Sequence, residues 1–148
     1  MKHFLSERLI QCPSMLLSQL TEVKPVSTAI VAADHAIALD SARQAFDAGI
    51  IQPVLIGGLA KISEAAENIG WDISALECIE ANGENEAAEE GARLAHVGSV
   101  NMVMKGHIHT DAFMRPLLAK GSGIRAGRRL SHAFHMSLPD RDASLLLP

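Results

Sequence analysis

Four short apolar runs, three of them followed directly by a segment of helical periodicity and the last by a turn and then a helix, limit what this chain can fold into. The runs are STAIVAA (27–33), QPVLIGG (52–58), the weaker ALECIEAN (75–82) and VNMVMKG (100–106). Their apolar residues are bunched rather than alternating, the pattern of strands covered on both faces. In DHAIALDSARQAFDAG (34–49), Asp34 is placed to cap a helix, Leu39, Ala42 and Phe46 share a side, and Gly49 suits the stop. AKISEAAENIG (60–70) is a second helix ending at Gly70. ENEAAEEGARLAHVG (84–98) sets Ala87, Gly91, Leu94 and Ala95 on one face and puts glutamates at the positive helix end. Thr110 or Asp111 then caps a helix running to Lys120, with Pro116 expected to kink it or shift its start.

Strand and helix alternate four times, which predicts βαβ units, a mostly parallel sheet and a three-layer α/β sandwich. The tail differs. RLSHAFHMSL (129–138) and SLLLP (144–148), joined by Pro139-Asp140-Arg141-Asp142, read as two strands around a turn. Residues 4–20 read as helical, interrupted at Cys12-Pro13, with Lys24-Pro25 as a linker. A length of 148 residues suits a single α/β domain.

Charge is unevenly spread. Residues 1–100 hold six Lys/Arg against fourteen Asp/Glu, whereas residues 101–148 hold seven against three. A basic last third on an acidic chain points to a local anion site, not to a polyanion-binding surface. With four Phe, one Trp and no Tyr, a base-stacking nucleic-acid platform is not expected. No apolar run is long enough to span a membrane. Cys12 and Cys78 lack CxxC spacing and read as free thiols of a cytoplasmic protein.

Ligands of open parallel sheets sit beyond the carboxyl ends of the strands. Ala33-Asp34-His35, Gly57-Gly58, Asn82-Gly83 and Lys105 to Thr110 should lie at that edge. There Gly106 allows close backbone approach, Lys105 supplies a charge, and the Thr110 hydroxyl stands beside the free N–H groups of a helix start. An ordinary solvated lysine before a helix cap is the competing reading. Arg128, Arg129, Ser131 and His132 form a second group able to hold a dianion. On a strand, Arg129 and Ser131 would share a face; the alternative is a basic strand edge that resists aggregation. His107-x-His109 and His132-x-x-His135 lack a supporting cysteine, so no metal is expected. GxGxxG after a strand, the Walker motif and GxSxG are all missing, and Gly121-Ser122-Gly123 follows a helix instead.

MVMKGHIHTDAFMRPLL…GIRAGRRLSHAF resembles the phosphate acetyl/butyryltransferase family, the butyryl branch more closely. The matching residues are Met104-Lys105-Gly106, Thr110 and Gly127-Arg128-Arg129-Leu130-Ser131-His132. The resemblance implies the reaction of acyl-CoA with phosphate to give acyl phosphate and CoA. It also implies a fold similar to the isocitrate and isopropylmalate dehydrogenases, of which this chain would be the first part of a two-domain whole. Lys105, Gly106 and Thr110 would then contact the phosphoryl group or hold its loop. Arg128, Arg129, Ser131 and His132 would frame the anion pocket, with Arg129, Ser131 and His132 as catalytic candidates. Coenzyme A enters as a substrate rather than a bound cofactor, and a homo-oligomer is expected. Family members are longer, and an Asp resembling the base for the CoA thiol has no match in residues 1–148. A non-catalytic phosphate- or CoA-binding or oligomerisation module of the same fold is the alternative, and an oxidoreductase related through the fold is a third reading.

Overall fold

The computed structural model describes residues 18, 20, 23–120, 124, 130–137 and 144–147. The chain divides into two compact units: Lys24–Ala126, and a second drawn from both ends, Met1–Val23 with Gly127–Pro148.

The larger unit is built on β1 (Val26–Val31), α1 (Ala36–Asp47), β2 (Ile51–Gly57), α2 (Leu59–Asn68), β3 (Glu77–Glu80), α3 (Glu84–His96), β4 (Met102–Lys105) and α4 (Thr110–Leu118). All sheet pairings are parallel and the order is β3-β2-β1-β4. The α/β reading of the sequence is therefore correct, with each strand within two residues of its expected bounds.

Alternation along the strands makes two cores. Ala29, Val31, Val54 and Ile56 face a cluster containing Ala87, Ala88, Leu94, Ala112 and Phe113, from α3 and α4. Ile30 and Leu55 face the other way, onto Leu39, Ala42, Ile62, Ala65 and Trp71. The sheet is thus the middle of three layers. The switch of helices from one face to the other follows from the strand order. Strands added outward as β1, β2, β3 place α1 and α2 on one face; returning past β1 to lay down β4 sends α3 to the opposite face, because crossovers keep one hand.

Local chemistry explains the irregular positions. Pro53 is buried in β2, yet β3 joins only at Val54, so the absent N–H falls where no ladder has begun. Val26 N–H bonds Ile50 O and Ala33 N–H bonds Ile56 O, so even-numbered residues of β2 serve β1 and Pro53 does not. Pro116 lies in the last turn of α4, which ends two residues later, so the proline shortens the helix instead of shifting its start.

In the second unit, β5 (Phe134–Ser137) and β6 (Ser144–Leu147) pair antiparallel from Phe134↔Leu147 to Ser137↔Ser144. The expected hairpin is present, but β5 begins later than the sequence suggested. The expected helix over 4–20 lies almost entirely outside the described residues, as do the turn at 139–142 and the glycines at 121 and 123. Among the described residues, no helix is long and apolar enough to cross a membrane.

Candidate functional site

The strand order reverses between β1 and β4, and a crevice opens at the carboxyl ends of the strands there. A cavity of about 340 Å³ is lined by residues that include Asp34, His35, Gly57, Lys61, Gly83, Glu84 and His107. All four stretches expected at this edge thus supply lining residues, the last of them through His107.

The turn after β1 carries the site's one strained residue. Ala32 has φ of 55°, a left-handed conformation that costs a non-glycine residue about 1–2 kcal/mol. Its carbonyl receives the His107 N–H at 3.1 Å, while Val31 O receives the Gly106 N–H at 2.8 Å. A Cβ at Gly106 would overlap the Val31 and Ala32 carbonyl oxygens. The glycine is therefore demanded by the approach of β1's own backbone. Gly83, at φ 93°, similarly needs a residue without a side chain where the chain enters α3.

His35, not Asp34, caps α1: the Ile37 N–H donates to His35 Nδ1 at 3.3 Å. Because Nδ1 accepts, the neutral ring carries its hydrogen on Nε2. His35 also stacks on His107, with centroids 4.0 Å apart and planes 16° from parallel. Asp34 instead faces Lys61, its Oδ2 lying 4.0 Å from Nζ.

The cap of α4 was also misassigned. His109 occupies the N-cap position, ahead of Thr110 and Asp111, and makes no cap bond with its own side chain. Its N–H donates to Glu84 Oε2 at 3.1 Å, and its Nδ1 lies 2.8 Å from Glu84 Oε1. The hydrogen bond and charge of Glu84 raise the His109 imidazole above its ordinary value, opposed by burial and by nearby Lys105, while the same bond holds Glu84 below the usual carboxylate range. A carboxylate of the chain itself thus meets the helix end where the sequence suggested an anion cradle. Glu80 does the same for α2, accepting the Leu59 N–H at 3.1 Å.

Lys105 closes β4 opposite Val31 and is exposed, and Thr110 is the first, exposed residue of α4. Arg128 and Arg129 lie outside the described residues. Ser131 and His132 are exposed and precede β5, so Ser131 is not on the strand where the sequence put it. The His132 ring meets Phe134 edge-on at 5.1 Å. His107 and His109 take different partners, one a ring and the other a carboxylate, and no group of described residues could hold a metal ion. Burial and neighbouring Glu77 push the Cys78 thiol up, away from thiolate chemistry. The sequence reading missed Lys61 and Glu84 as crevice residues. Each is in the first turn of a helix that follows a strand end, and that position was the available signal.

No family model matches the chain. It is 35% identical over 137 residues to the phosphate acetyltransferase of Rickettsia typhi, covering 93% of this chain and 37% of that relative. To the phosphate butyryltransferase of Clostridium beijerinckii it is 32% identical over 132 residues, 89% of this chain and 44% of the relative. In structure it is similar to a phosphotransacetylase from Staphylococcus aureus, with a TM-score of 0.70 and 18% identity over 93% of this chain and 50% of that one. The chain therefore spans less than half the length of these curated relatives. The sequence matches, which run along nearly the whole chain, carry the relationship to phosphate acetyltransferases and butyryltransferases, and the structural likeness carries the fold alone.

Proposed function

We propose that the chain serves phosphate acyl transfer, in which a phosphate oxygen attacks the acyl carbon of acyl-CoA, the C–S bond breaks, and CoA leaves as a thiolate that takes up a proton. The observation that carries this reading is the identity to phosphate acetyl- and butyryltransferases along nearly the whole chain. In it, Lys105, Gly106 and Thr110 contact the phosphoryl group or hold its loop. Arg128, Arg129, Ser131 and His132 supply donors that offset the charge growing on the tetrahedral oxyanion. Acyl-CoA and phosphate are the partners. A cytoplasmic, self-associating protein fits this reading, since Cys78 is a free thiol and the hairpin exposes Phe134, Met136 and Leu147.

The experiment mixes the protein with butyryl-CoA or acetyl-CoA and phosphate and follows free thiol. Thiol release supports the enzyme. Phosphate or CoA binding without release supports the second reading, a binding module of the same fold. Arg129→Ala should weaken phosphate binding by about 1.5–3 kcal/mol, the worth of a charge-assisted hydrogen bond. Unchanged affinity by calorimetry would remove Arg129 from the pocket.

A further inference from the structure

The crevice is poorly suited to a bare dianion. Among its described lining residues, Asp34 and Glu84 bring two carboxylates, and the one ammonium, Lys61, already faces Asp34. A phosphate placed there would meet like charge. One donor at each of two neighbouring helix starts is also taken: His35 Nδ1 holds the Ile37 N–H, and Glu80 holds the Leu59 N–H.

What the crevice does present is a flat π surface. His35 and His107 stack nearly parallel, and His107 is exposed where it borders the cavity. Gly57 and Gly83 line the cavity without side chains, leaving room for a planar group. Asp34 offers an acceptor to an amino substituent. A volume of about 340 Å³ suits a nucleoside-sized group and falls short of an entire coenzyme.

We propose that the His35–His107 stack is the platform for the adenine ring of coenzyme A, with the exocyclic amine directed to Asp34. The inference rests on the acyl-transfer reading, since that reading supplies coenzyme A, whose adenine is its only heteroaromatic ring. It divides the ligand's chemistry: the heterocycle docks among carboxylates and imidazoles, and Lys105, Gly106 and Thr110 then hold the loop while the reacting phosphate docks elsewhere.

The test titrates the whole chain with coenzyme A, adenosine 3′,5′-bisphosphate and phosphopantetheine, reading affinity by calorimetry and the imidazole signals by NMR. The bisphosphate should compete with coenzyme A and move the His35 and His107 signals. His107→Ala should weaken both adenine ligands roughly tenfold, as expected for a lost base–ring stack, and leave phosphopantetheine unchanged. His107→Phe should restore the stack and most of the affinity, which a purely structural role would not predict.

Unmoved imidazole signals at saturating bisphosphate would overturn the proposal. An equal loss for phosphopantetheine in His107→Ala would do so as well. Thiol release from acyl-CoA by a His107→Ala protein with undiminished CoA affinity would refute the platform and leave the acyl-transfer reading intact. Bisphosphate bound at His107 in a protein that never releases thiol would support the platform and refute catalysis.

Discussion

The two faces of the sheet are packed with different materials. Against α1 and α2 lie Ile30, Leu39, Leu55, Ile62 and Trp71. On the side of α3 and α4, Val31, Val54, Ile56, Leu94 and Phe113 share the core with Ala29, Ala87, Ala88 and Ala112, and Gly91 sits where α3 passes over Val31. Both faces gain stability from the volume of their side chains, but the second also depends on how closely α3 can approach at Gly91. Removing atoms should therefore damage either face, and adding atoms at Gly91 should damage the second.

Leu55→Ala should have the largest effect, a loss of about 2–5 kcal/mol in urea unfolding, since Leu55 is completely buried between helices and sheet. Gly106→Ala should follow at about 3 kcal/mol, because the new methyl meets backbone oxygens that cannot turn aside. Gly91→Ala sharpens the comparison most. A Cβ there would lie 2.5 Å from Val31 Cγ2, a stiff and buried methyl, so overpacking of about 1–3 kcal/mol opposes a helix-propensity gain of about 1 kcal/mol. A net loss is expected; a stabilised Gly91→Ala protein would mean that α3 does not depend on close approach, and the contrast between faces would collapse.

The smallest effect is expected at the carboxyl edge of the second face, where Glu84 ties α3 to the start of α4. His109 is raised, so its share of the tie is complete below the ordinary imidazole value and is lost as pH rises through the raised one. Glu84 is lowered, so its share is present above the ordinary carboxylate value and fades only as pH falls through the depressed one. The tie is strongest in the mildly acidic range between them. NMR titration should place the His109 midpoint above that of a free imidazole, and Glu84→Gln should bring it down. His109 is exposed and Glu84 partly so, and the change in overall stability should be slight.

Much of this architecture could be read in advance because buried parallel strands must be continuously apolar, and TAIV and PVLIG are. The helix faces were legible for the same reason: Ala87, Gly91 and Leu94 are all buried where their periodicity put them. The caps were not. Asp34 and Thr110 are favoured capping residues by composition, but the α1 cap is an imidazole and the α4 start is met by a carboxylate from a distant helix. No local pattern encodes a partner 25 positions away. The His35–His107 stack escaped for a related reason: it exists only because β1 and β4 are neighbours in space. Ser131 and His132 were assigned to a strand because LSHAFHMSL has strand-like composition, whereas pairing starts at Phe134, opposite Leu147.

The placement of β4 beside β1 also sets an order of assembly. β1 finds β2 across a single helix, but its contact of Thr28 with Met102 must wait until two further strands and two further helices have been made. Closing that long loop costs the most chain entropy and is rewarded last. The imidazole pair is therefore a late product of folding, absent from any intermediate that lacks β4. A small molecule that grips it would select for completed chains and slow their unravelling.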